Sequence, residues 1–184
     1  MLSTYYNIWK YLKNPVCDKI NNISTADKLK IVGETLILCF TISFVFAIFI
    51  GIIDHLKIIN IDNHANSKLF DKYSPLVVVL LVAIVAPVLE ELIFRAPITL
   101  FSKYKTSFKS IFYAFALVFG FIHIFNFELT PQIILLSPIL VAPQICLGLF
   151  LGYLRVRLGL IYSIILHMTY NGILIIPSVL FMGI

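Results

Sequence analysis

A chain of 184 residues has room for one domain, yet 60% of its residues are hydrophobic, only 12% are charged and the mean hydropathy is +1.00. Soluble domains carry roughly 25% charged residues, so this composition excludes an ordinary soluble domain and points to an all-α, polytopic transmembrane helix bundle. The net charge of +5 is weighted towards the N-terminus, where Lys10, Lys13, Lys19, Lys28 and Lys30 precede the first long apolar run; with no basic stripe on a soluble surface, the expected partner is the lipid bilayer and not nucleic acid.

Residues 1–30 are predicted to be a cytoplasmic or interfacial segment. They carry Asn, Asp and Pro15 and lack an apolar core followed by a small-residue cleavage site, so no cleavable signal peptide is expected. Tyr5, Tyr6, Trp9 and Tyr11 form an aromatic cluster suited to the headgroup layer, on an interfacial N-terminal helix. The transmembrane domain is predicted over 31–184, with five spans near 31–53, 75–101, 108–127, 132–154 and 158–181, each close to or above the roughly 20 residues that cross hydrocarbon. The first follows Ser24-Thr25-Ala26-Asp27, a helix start with an acid in the first turn. The second opens at Ser74-Pro75, a cap residue with proline at the first helical position. Between them lies the longest polar loop, 54–73, carrying Asp54, Asp62, Asp71, Lys57, Lys68 and Lys72. With the N-terminus inside, short inner segments hold ten Lys and Arg, the outer ones only Lys57, Lys68 and Lys72. An N-in, C-out topology follows.

Pro87, Pro97, Pro138, Pro143 and Pro177 fall within or near the spans, where freed backbone groups need partners on other helices or trapped water. Pro87 stands one turn before Glu90, where a kink would open space for water. Gly148-Leu-Phe-Leu-Gly152 has the small-x-x-x-small spacing of close helix approach and reads as internal packing in preference to dimerisation. Cys17, Cys39 and Cys146 have no metal-binding spacing and read as packing residues.

The second span contains Glu90-Glu91-Leu-Ile-Phe-Arg95. Charged groups at membrane depth cost at least a few kcal/mol and usually face a protein interior or a wet cavity. Glu91 and Arg95 are four apart on one helical face, acid first, the favourable order for an ion pair. Glu90 is rotated about 100° away and has no local partner, so it must reach another helix or be protonated. The third span ends in Phe119-Gly-Phe-Ile-His123, and the fifth carries His167-Met-Thr-Tyr-Asn171, whose His and amide share a face. Glu34 and Gln144 are the main other polar groups at depth. Taken singly, these residues are as well explained by interhelical hydrogen bonds. Together they form a kit that could activate water or hold a metal. Linear counting sets Glu90 and His167 near mid-membrane and His123 nearer the outer end of its span; tilt, a bend at Pro97 or a third helix starting below the surface would bring them level.

The ordered trio Glu-Glu-x-x-x-Arg, Phe-x-x-x-His and His-x-x-x-Asn resembles the CPBP family of intramembrane proteins, which comprises type II CAAX prenyl endopeptidases and the bacteriocin-processing, immunity-associated or abortive-infection-type membrane proteases. The resemblance covers about residues 75–180. It implies an endopeptidase of a prokaryotic cell membrane that cleaves a membrane-associated peptide or protein. It further implies that Glu90 and His123 activate the attacking water, that His167 and Asn171 stabilise the oxyanion, and that Glu91, Arg95 and Phe119 support the site. A metal-free mechanism is the preferred reading, with zinc at Glu90, His123 and His167 as the alternative. A non-catalytic immunity protein that binds a bacteriocin is the competing function. A proton-coupled transporter is a third, but the chain shows no inverted repeat.

Overall fold

The computed structural model describes residues 2–59 and 65–181, so Asp62 and part of the polar loop lie outside the described residues. Helix α1 (Leu2–Lys13) turns Thr4, Ile8 and Tyr11 inward and leaves Tyr6 and Trp9 exposed. Tyr11 therefore does not belong to the headgroup cluster with its neighbours. The i, i+4, i+7 spacing of Thr4, Ile8 and Tyr11 puts it on the packed face, where its ring meets Phe112 and Tyr153 edge-on. Burial raises the Tyr11 phenol well above its usual range, and nearby Cys17 and Asp18 act in the same direction.

Helix α2 (Thr25–His55) starts where the sequence places it: the Ser24 hydroxyl accepts the Asp27 N–H at 3.1 Å. After α3 (Ala65–Lys72), the second span opens with α4 (Pro75–Leu80), Ser74 at its N-cap. The chain then widens into a π-helical turn over Leu81–Val85, continues as α5 (Ala86–Phe94), and tightens to a 3-10 helix over Ala96–Lys103. Proline chemistry accounts for both changes. Pro87 cannot donate a backbone hydrogen bond, and the preceding Ala86 N–H reaches back to the Leu81 carbonyl in π register. Pro97 likewise stands at the start of the 3-10 segment.

Helix α6 (Phe108–Ile122) ends at His123, and a 3-10 turn follows over His123–Asn126. The fourth span is broken. Helix α7 (Pro131–Leu140) stops at Val141, and α8 (Ala142–Arg157) restarts with Pro143, whose missing N–H cannot serve the Ile139 carbonyl. Gly159, at φ +119°, makes the turn into α9 (Leu160–Phe181), a backbone conformation that favours glycine. Among the described residues, five stretches are long and apolar enough to cross a membrane: Thr25–His55, Pro75–Lys103, Phe108–Asn126, Pro131–Arg157 and Leu160–Leu180.

Antiparallel α6 and α8 form the tightest pair. A Cβ on Gly152 would come within 2.8 Å of the Phe112 ring, and one on Gly148 within 3.1 Å of Phe119. The glycine spacing is thus consumed inside the bundle, as internal packing. Across it, α2 supports α9: Tyr170 stacks on Phe40 at 4.9 Å and its hydroxyl shares a 2.7 Å hydrogen bond with Ser43.

Candidate active site

Glu91 is the anchor of the site. Its side chain is fully buried on α5, with Arg95 one turn on. The Arg95 Nε lies 3.6 Å from Glu91 Oε1, and the guanidinium carbon sits 3.9 Å from the centre of the Phe119 ring. A planar cation over a ring face gains from the ring quadrupole, so Phe119 adds a second attraction to that of Glu91. Two residues of α9 complete the anchor. His167 donates from Nδ1 to Glu91 Oε1 at 3.0 Å, and the Ser163 hydroxyl donates to Glu91 Oε2. Ser163 is four residues before His167, hence on the same face. Its hydroxyl has no feature in the linear sequence that separates it from other serines in apolar helices, and only the register of α9 against α5 reveals it.

Glu90 faces elsewhere. It is 28% exposed and lines a cavity of about 570 Å³, with its Oε2 3.6 Å from His167 Nε2. His167 is thus oriented through Nδ1 by Glu91 and presents Nε2 to Glu90. His123 lines the same cavity, its Nδ1 held at 2.7 Å from the Phe119 carbonyl and its ring edge-on to Phe119 at 4.8 Å. Phe119 also meets His167 edge-on at 5.8 Å. One aromatic ring therefore touches Arg95 and both histidines.

Asn171 also lines the cavity, and its amide donates to the Val82 carbonyl at 3.0 Å. This carbonyl lies in the π turn, where the usual fourth residue on, Ala86, bonds to Leu81 and the fifth, Pro87, has no N–H. Asn171 thus satisfies a backbone group that the π turn and Pro87 leave open, a demand that is steep in hydrocarbon. One amide hydrogen is left for the cavity. Of the other polar groups at depth, Gln144 joins the cavity wall, its buried Oε1 lacking a hydrogen-bond partner among the described residues, whereas Glu34 is buried on α2 and is not part of that wall.

The three motifs meet at one cavity because α6 is short: its 15 residues rise roughly 22 Å, so His123 stops short of the far side of a hydrocarbon layer about 30 Å thick. Beneath the site, Arg155 of α8 donates to the carbonyls of Arg95 and Ala96 and to the Thr99 hydroxyl, at 3.0, 3.1 and 2.7 Å. It fixes the 3-10 turn that follows Arg95. As for zinc, no three His, Cys, Asp or Glu side chains among the described residues converge closely enough to hold a metal ion. With the Nδ1 atoms of His123 and His167 engaged, only Nε2 of each is open to a ligand.

A family model described as type II CAAX prenyl endopeptidase Rce1-like matches residues 72–173, more than half of the chain and a stretch that contains all three motifs. The chain belongs to this family. Searches of curated proteins and of solved structures gave no match. Membership in a membrane-protease family together with five apolar helices makes the chain an integral membrane protein.

Proposed function

We propose that the protein is an intramembrane endopeptidase that hydrolyses peptide bonds of a membrane-associated peptide or protein without a metal. The observation that carries this reading is the meeting of Glu90, His123 and His167 on one cavity inside an apolar bundle. Glu90 is partly exposed and lines the cavity, and with His123 on the same wall it takes a proton from water as the oxygen attacks the scissile carbonyl carbon. The proton then passes to the departing amine. The negative charge that develops on the carbonyl oxygen is met by N–H groups of His167 and Asn171.

To serve the oxyanion, His167 needs a hydrogen on Nε2, which faces Glu90 and the cavity, as well as the one that Nδ1 gives to Glu91. Glu91, Ser163, Arg95 and Phe119 set geometry and do not touch the substrate. In this reading no step uses zinc at Glu90, His123 and His167.

The test compares peptides released from membranes of cells carrying the wild type or Glu90→Gln. Products present only with the wild type are expected. Immunity by binding a bacteriocin would persist in Glu90→Gln, and identical peptide sets alongside retained immunity would replace the proteolytic reading with that one.

A further inference from the structure

The cavity has a sealed end and an open end, and they lie on opposite sides of the bundle. Towards α1, the site is closed by Arg95, Phe119, Leu151 and Leu154, none more than 1% exposed. Towards α3, the wall thins. Helix α6 stops at Ile122 and α8 begins only at Ala142, each rising roughly 22–24 Å. Their spans continue as the 3-10 turn His123–Asn126 and as α7, and of these His123 and Asn126 line the cavity while α7 does not. Beyond that level α9 continues, and the cavity is bounded by Leu174 and Ser178 of α9 and by Phe70 of α3. Leu174 and Ile122, on the rim, are 51% and 48% exposed.

The sealed end is also the basic end. Lys109 donates to the Lys13 carbonyl there, and Arg157 pairs with Asp18. Lys103, Lys105 and Arg155 occupy the same side. Basic short loops mark the cytoplasmic face of a membrane protein, which sets the open end on the other face.

We propose that the site takes its substrate from the extracytoplasmic side: the segment next to the membrane anchor of an exported or membrane-anchored polypeptide, and not a cytoplasmic C-terminus. This rests on the proteolytic reading of the site. The apolar rim suits the anchor, while Gln144, with its unpartnered carbonyl oxygen, offers an acceptor for a backbone N–H of the segment drawn in towards Glu90.

Access is read without any substrate. In a chain with Cys17, Cys39 and Cys146 replaced by alanine, Leu174→Cys is treated with a membrane-impermeant, charged methanethiosulfonate. Modification is expected in intact cells and its loss in inside-out vesicles, with Lys105→Cys giving the reverse pattern. Asn126→Cys, on the opposite wall, serves if Leu174→Cys fails to accumulate. Modification of these wall positions only in inside-out vesicles would overturn the proposal. A second arm uses two reporters carrying one randomised segment beside a single membrane anchor, on the outer or the inner side. The wild type should cut the outer reporter alone, and Glu90→Gln neither. Cutting of the inner reporter alone would overturn the sidedness and keep the protease. Cutting of neither, with wall cysteines still modified from outside, would remove the proteolytic reading and the proposed substrate with it.

Discussion

Arg95 is a fully buried cation whose charge is met by Glu91 and by the face of Phe119. Arg95→Ala leaves the Glu91 carboxylate buried against one partner fewer, at a cost of about 3–5 kcal/mol, and should lower the amount of protein in the membrane as well as activity. Arg95→Lys should rescue poorly, because an ammonium lacks the planar group that lies over the ring. Asn171→Ala is expected to act twice. Removing an oxyanion donor should lower kcat by roughly 10²–10³ with little change in KM, and the Val82 carbonyl, left without its donor, should lower the melting temperature of the purified protein. A loss of stability with an unchanged kcat would confine Asn171 to backbone support. Gln144→Leu separates differently: it removes an unpartnered buried carbonyl oxygen, so the melting temperature should hold or rise while KM rises roughly tenfold, the equivalent of one hydrogen bond. An unchanged KM would take Gln144 out of substrate binding.

At the scale of helices, the α6–α8 contact sets the height of His123. A Cβ on Gly120 would fall 2.9 Å from the Ile145 backbone nitrogen and 2.2 Å from its Cγ1, so Gly120→Ala forces the helices apart three residues before His123. Overpacking of this kind costs about 1–3 kcal/mol, and activity should fall with stability. Gly33→Ala is the control: nothing lies within 4 Å of its Cβ, and replacing a helical glycine should stabilise by about 0.5–1 kcal/mol in a thermal melt. Equal effects of the two substitutions would contradict the packing described. Helix starts were legible in the sequence wherever a local rule governs them, as at Ser24 and Ser74-Pro75. The π turn and the break at Val141 were not. The prolines announce a disturbance, but whether the chain kinks, widens or restarts depends on what neighbouring helices offer the freed carbonyls, and for Val82 that partner is 89 residues away. Tyr11 illustrates the same limit, since its aromatic character suited the headgroups while its helical phase turned it into the bundle.

For the whole molecule, the burial cost of charge made the site readable: ionisable side chains in apolar spans have few places to go, and Glu90, Glu91, Arg95, His123 and His167 are gathered in one region. The site roles of Ser163 and Arg155 are not legible in the sequence, because a serine in an apolar helix and an arginine near a span end each have ordinary explanations, and only the packing of α9 and α8 against α5 and the following turn gives them partners. The metal-free reading predicts that activity survives exhaustive chelation and dialysis; about one equivalent of bound zinc, with activity lost on removal and restored on return, would overturn it. The central claim is that Glu90 is the base of a protease in the middle of this bundle. Its most direct test is the cleavage rate of purified, reconstituted wild type and Glu90→Gln on the same membrane peptide, with melting temperatures measured alongside. The account predicts a rate lower by roughly 10²–10⁴ at equal stability, and turnover near the wild-type rate in Glu90→Gln would contradict it.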